Sequence, residues 1–233
     1  KYIKFGEKCA AKYADEIIVL SKNVQKYFKD TYNRDTVFIE NGVNKPVLKS
    51  ADIITEKYGL NGDDYILYLA RIVPEKRLDL LIEAFKKTNT NKKLVIAGGA
   101  SHTNDFMKKI EELAKQDERI IMTGFVQGEE LEELFSNAYL YCLPSDVEGM
   151  PISLMEAMSY GRNCLISDIE ENVQVCGEYG VTFKKSNLDD LTNKLNLCLN
   201  SKSRFEENVI SDYILKRYNW DDVVEKTEKL YRK

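Results

Sequence analysis

The chain has 233 residues, of which 43% are hydrophobic and 31% charged. That is the profile of a globular protein and excludes a disordered or collagen-like chain. Thirty-four basic residues against 38 acidic ones give a formal net charge of −4, so no global basic footprint marks a nucleic-acid partner. No run approaches the ~18 apolar residues that span a bilayer, and the opening KYIKFGEKCAAKYADE is too charged and interrupted for a signal peptide.

Taken in chain order, short β-branched or aromatic runs alternate with amphipathic stretches. Strands are predicted at 16–20 (EIIVL) and 37–40 (VFIE), with a helix over 23–32 that Ser21 is placed to cap. A strand at 65–69 (YILYL) precedes a helix over 78–87 with Leu78, Leu81, Ile82 and Phe85 on one face. A strand at 93–97 (KLVIA) precedes a helix over 105–116 carrying Phe106, Ile110, Leu113 and Ala114. Then come strand 120–123, helix 129–136, strand 138–143 (AYLYCL), helix 152–160, strand 163–167 (NCLIS) and strand 180–183. Helices over 188–200, 206–218 and 221–232 close the chain.

The strands lack clean alternation, as strands buried on both faces of a parallel sheet do. The repeated βα order predicts an α/β fold with a doubly wound, Rossmann-like parallel sheet. The turn-rich Asn41-Gly42-Val43-Asn44-Lys45-Pro46 is the best boundary. Residues 1–45 then read as the end of something larger or an appendage, 46–203 as the main domain, and 204–233 as C-terminal helices.

The five cysteines, Cys9, Cys142, Cys164, Cys176 and Cys198, form no C-x-x-C pair and are odd in number. They argue against a zinc site and a disulfide scaffold and read as small buried hydrophobes. The single histidine, His102, lies in a polar stretch and reads as a surface-loop residue. It also argues against a Cys-His or Ser-His dyad.

Ligands of open α/β sheets bind beyond the carboxyl ends of the strands, and three segments fall there. Ala70-Arg71-Ile72-Val73-Pro74-Glu75-Lys76-Arg77 places Arg71 and Lys76 on a loop entering a helix. That makes an anion site suited to phosphates, or a solvated charged loop. In Ser145 to Met158, Pro151 suits the first turn of a helix, with Glu148 on the loop before it and Glu156 inside it. Free amides are expected at Gly149, Met150, Ile152 and Ser153. The carboxylates suit hydroxyls of a sugar or ribose; a surface role for Glu156 is the plain alternative. Thr123-Gly124-Phe125-Val126, with Gly98-Gly99 at the neighbouring strand end, offers close backbone approach to a flat base. Ordinary βα turns explain it as well.

Together and in this order, the three segments resemble the C-terminal half of retaining GT-B glycosyltransferases of family 4. Glu148 to Glu156 (EGMPISLME) matches that family's E-x7-E signature. Arg71 and Lys76 match its R…EK loop, and TGFV matches its base-pocket segment. ADEIIVLSKNVQKYF with VFIENGVN looks like the end of its N-terminal domain, and YNWDDVVEKTEKLY like its closing helix. The resemblance implies hexosyl transfer from a nucleotide diphosphate sugar to an acceptor hydroxyl, with Arg71, Lys76 and Glu148 catalytic. Arg71 and Lys76 would hold the diphosphate and Glu148 the sugar hydroxyls, with Glu148 as nucleophile a second option. Glu156 would take the ribose, the amides of Gly149 and Met150 beside Pro151 the sugar or phosphate, and Gly99, Phe125 and Val126 the base region.

It further implies no cofactor and no metal. The donor carrier would be UDP first, with GDP, ADP or dTDP as alternatives. The acceptor would be a glycan or lipid-linked hydroxyl in polysaccharide or glycolipid assembly, at a cytoplasmic site. The N-terminal domain of the same protein would be a partner, within a whole of about 370 residues. The basic clusters at Lys86-Lys87, Lys92-Lys93 and Lys108-Lys109 are solvated helix faces or points of peripheral membrane contact. Two other readings stay open: a nucleotide-sugar-binding module without activity, and a GT-B-shaped sugar-nucleotide epimerase.

Overall fold

The computed structural model describes residues 2–99, 104–200 and 205–232; His102 lies outside them. The described chain divides into two compact units, one of residues 1–44 with 216–233 and one of 45–215.

In the smaller unit, helix α1 (Tyr2–Tyr13), strand β1 (Ile18–Val19), helix α2 (Lys22–Tyr32) and strand β2 (Val37–Phe38) come first. β1 and β2 pair in parallel. Ser21 caps α2 as its spacing predicts, its hydroxyl accepting from the Val24 amide at 3.2 Å. Glu7 of α1 accepts from the hydroxyls of Tyr27, at 2.7 Å, and Tyr32. The closing helix α11 (Trp220–Tyr231) belongs to this unit. The Val43 amide donates to the Tyr218 carbonyl at 2.7 Å. Gly42 lies so close to the Trp220 ring that a Cβ there would sit 2.7 Å from it.

The larger unit holds a six-stranded sheet. Its elements are α3 (Ile53–Tyr58), β3 (Tyr65–Leu69), α4 (Leu78–Lys86), β4 (Lys93–Ala97), α5 (Asn104–Ala114), β5 (Ile120–Gly124), α6 (Glu129–Ser136), β6 (Leu140–Leu143), α7 (Ile152–Ser159), β7 (Cys164–Ser167), α8 (Glu170–Cys176), β8 (Gly180–Phe183), α9 (Leu188–Asn200) and α10 (Glu207–Arg217). The spatial order is β5-β4-β3-β6-β7-β8, and every neighbouring pair is parallel. The chain therefore winds outward from β3 in one direction, returns, and continues from β6 in the other. This is the doubly wound, Rossmann-like α/β architecture that the βα alternation predicts.

Alternate residues of each strand face opposite layers. Ile66, Tyr68, Leu94, Ile96, Leu140 and Cys142 are buried in one cluster with Leu78, Leu81 and Phe85 of α4 and Leu191 and Leu195 of α9. On β6, Tyr141 faces the other layer, where Phe135 of α6 lies 6.3 Å from its ring. Polar tips of buried rings are satisfied: the Tyr65 hydroxyl donates to the Leu134 carbonyl at 2.7 Å.

The larger unit continues past the expected boundary at 203/204. α10 belongs with the sheet because Arg162, nearly fully buried, pairs with Glu207 at 2.5 Å. Asn163 also exchanges hydrogen bonds with the Phe205 backbone at 3.0 and 3.1 Å. The cysteines are all free: Cys142, Cys164 and Cys176 are buried, while Cys9 and Cys198 are half-buried. Burial pushes the Cys142 and Cys164 thiols up. Among the described residues no helix is long and apolar enough to cross a membrane.

Candidate functional site

The winding reverses between β3 and β6, and there the ladder is short. Ile66 pairs with Leu140 and Leu67 with Tyr141, whereas β3 stays paired to β4 as far as Leu69 and Ala97. Past Leu67 the two strands separate, which opens a crevice at their carboxyl ends. The Tyr141 hydroxyl lies across this opening, 3.2 Å from the Leu69 carbonyl oxygen and 2.7 Å from the Ser153 hydroxyl.

Two loops flank the crevice, and the structure brings two of the expected residues into contact across it. Lys76, at the end of a 3-10 turn (Pro74–Lys76), donates from Nζ to Glu148 Oε1 at 2.6 Å. The side chains are only 14% and 6% exposed, so the pair is largely desolvated. The loops are also joined by backbone, the Asp146 amide donating to the Glu75 carbonyl at 2.8 Å. Beneath them Tyr68 is buried; burial, and then the nearby Glu148 charge, push its hydroxyl far above the usual phenol range.

Arg71 stands on the same loop but differs in state. It is exposed, and its guanidinium has no partner among the described residues. Glu156, the fifth residue of α7, lies roughly 6 Å further along the helix than Ile152. It is half-buried, its carboxylate has no partner among the described residues, and burial raises its pKa. A half-buried carboxylate without a partner among the described residues keeps its hydrogen-bonding capacity available to a ligand.

The glycines at the strand ends knit the rim. Gly98 has φ 145, and a Cβ there would sit 2.0 Å from the Ala70 carbonyl oxygen. The Gly99 carbonyl accepts from the Ile72 amide at 3.0 Å, which ties the Arg71 loop to the end of β4. A Cβ added at Gly99 would meet no atom within 4 Å among the described residues. The residues after β5 part company: Val126 is buried and anchors the loop, while Phe125 is 76% exposed.

Two details differ from expectation. Pro151 occupies the cap position just before α7 instead of its first turn. The Ile152 amide, expected free, donates to the Met150 carbonyl at 3.0 Å, because the chain tightens after Pro151. Gly149 is exposed with open space beside it.

Sequence reasoning missed a second layer. Arg77 donates to Asp146 at 2.9 Å and to Ser186, and Ser186 donates to Asp146 at 2.7 Å. The only prior sign was the run of charges around Lys76. The basic clusters are partly engaged: Lys93 bonds the Gly59 carbonyl, Lys86 the Gln116 side chain and Lys109 Asp79. Among the described residues no group of three or more His, Cys, Asp or Glu side chains converges as a metal site.

This sheet, with its crevice at the reversal point, is a doubly wound α/β fold shared with GT-B proteins of known structure. The chain superposes on the Anabaena protein Alr3699/HepE, solved in complex with UDP and glucose, with a TM-score of 0.87 at 16% identity. The match covers 99% of this chain and 66% of that one. A family model described as Glycosyl transferases group 1 matches residues 50–217, and the chain belongs to that family. It is 25% identical to an uncharacterised glycosyltransferase of Methanocaldococcus jannaschii, covering 100% of this chain and 62% of the relative. It is 23% identical to the O-antigen chain mannosyltransferase B of Escherichia coli, covering 77% of this chain and 48% of the relative. The chain thus spans from about half to about three fifths of the length of these curated relatives.

Proposed function

We propose that this chain is the C-terminal, donor-binding half of a retaining glycosyltransferase of family 4. The whole protein would move a hexosyl group from a nucleoside diphosphate sugar to an acceptor hydroxyl. The observation that carries the reading is the desolvated Lys76–Glu148 pair, 2.6 Å apart at the β3/β6 crevice. A cation for a phosphate beside a carboxylate for hydroxyls suits a ligand whose sugar is joined directly to its phosphate. Glu148, already engaged by Lys76, fits a hydroxyl acceptor better than a nucleophile.

In this reading Arg71 adds a second positive charge. The two cations disperse the charge that develops on the leaving diphosphate. The bond from the anomeric carbon to the phosphate oxygen breaks as the acceptor oxygen bonds on the same face. The acceptor's proton passes to the leaving phosphate. Glu156 holds the ribose hydroxyls, the amides of Gly149 and Met150 beside Pro151 contact the sugar or phosphate, and Gly99 lets the ligand come close. The backbone at Phe125 and Val126 holds the base. We assign UDP as the first choice of carrier, since UDP accompanies the similar Anabaena structure; GDP, ADP and dTDP are the alternatives. The acceptor is a glycan or lipid-linked hydroxyl in polysaccharide or glycolipid assembly, bound by an N-terminal domain of the same protein. Alone, this chain binds donor and does not transfer it.

Calorimetric titration with UDP, GDP, ADP and dTDP tests the reading. One of them should bind, and Arg71→Ala should weaken it roughly tenfold or more, the loss of a charge-assisted contact. Absence of binding by all four would overturn it for this chain.

A further inference from the structure

Lys76 and Arg77 are adjacent cations, and Asp146 and Glu148 are nearly adjacent acids, so the four could pair in more than one way. The structure sorts them. Arg77 holds its backbone in the left-handed region, at φ 51 and ψ 37, a conformation that disfavours any residue with a Cβ. That turn sends the two neighbouring cations to different acids: Lys76 to Glu148 and Arg77 to Asp146. Ser186 is left-handed too, at φ 57.

The guanidinium of Arg77 faces partners within the protein through Nη1 and Nε. Its Nη1 donates to Asp146 Oδ2 at 2.9 Å and to Ser186 Oγ, and its Nε lies 3.5 Å from Asp79 Oδ1. Ser186 Oγ donates to Asp146 Oδ1 at 2.7 Å, so both oxygens of that carboxylate are engaged. The Asp146 amide binds the Glu75 carbonyl. Three loops meet at this knot: those following β3, β6 and β8.

We propose that Arg77 is a positioning residue. With Asp146 and Ser186 it clamps the three loops, so that Lys76 and Glu148 face each other across the crevice before any ligand arrives. The inference rests on the donor-site reading above. A preformed pair spares the ligand the cost of ordering the loops, so its loss appears as weaker binding.

The test uses the full chain and its Arg77→Gly, Arg77→Lys and Asp146→Asn variants. Three quantities are read: thermal midpoint, amide exchange over residues 144–150 without ligand, and affinity for the nucleoside diphosphate that the wild type binds best. Arg77→Gly also removes the left-handed strain, so its midpoint should stay close to wild type. Its loop should exchange faster and its affinity fall roughly five- to tenfold. Arg77→Lys keeps a cation for Asp146 and should recover part of that loss, and Asp146→Asn should resemble Arg77→Gly. Unchanged affinity or unchanged loop exchange in Arg77→Gly would overturn the proposal. So would a general loss of stability that Arg77→Lys does not rescue. Failure of the wild type to bind any nucleoside diphosphate would instead overturn the donor-site reading and, with it, the role given to the clamp.

Discussion

Glu156 is half-buried with no partner among the described residues, and burial raises its pKa. The folded chain therefore keeps a proton on Glu156 at pH values where the unfolded chain has lost it. The group's contribution to stability is most favourable below the unfolded value, about 4.3, and is lost as pH rises through the folded value. Glu156→Gln removes that loss. The variant's thermal midpoint should match wild type near pH 4 and exceed it at pH 7; an advantage that does not grow with pH contradicts the assignment. At the same scale, Gly98 combines φ 145 with a Cβ position 2.0 Å from the Ala70 carbonyl. Gly98→Ala should cost about 3 kcal/mol or more, seen as a fall of roughly 10 °C in thermal midpoint. A fall of a degree or two would show that the strand ends can move apart freely. Residue types at the strand ends pointed to Arg71, Lys76, Glu148 and Glu156 as a group. Their states were not legible: Arg71 is exposed without a partner among the described residues, whereas Lys76 is paired with Glu148.

At the scale of elements, the buried strands and the long amphipathic helices were legible because period and composition agree with their environment. Helix 129–136 and helix 188–200 have the predicted limits. The short helices were not. α3 is capped from another element: the carboxylate of Glu133, on α6, accepts from the Asp52 and Ile54 amides at 3.0 Å each. No local signal announces a cap supplied about 80 positions away. α8 begins at the acidic pair Glu170-Glu171, which reads as a loop until Asn172 is seen buried against Ser167. The cap on α3 is testable. Glu133→Ala should destabilise the larger unit by about 2 kcal/mol, the scale of two amide bonds to a buried carboxylate. Glu133→Gln, which keeps one acceptor, should cost less. Chemical denaturation reads both, and equal costs would show that packing, not capping, is the contribution of Glu133.

At the scale of the whole chain, the parallel order was legible because six βα repeats leave few topologies. The reversal between β3 and β6 then gathers the Arg71–Lys76 loop, the Glu148 loop and the ends of β4 and β5 at one rim. How far the larger unit extends was not legible, since it depends on the buried Arg162 reaching Glu207. The central claim is that a nucleoside diphosphate lodges at this rim. Amide hydrogen exchange with and without UDP, or whichever nucleotide binds best, tests it most directly. Protection is expected over residues 71–77, 98–99, 124–126 and 146–153, with the rest of the chain unchanged. Protection confined to any other surface, or none at saturating nucleotide, would contradict the account.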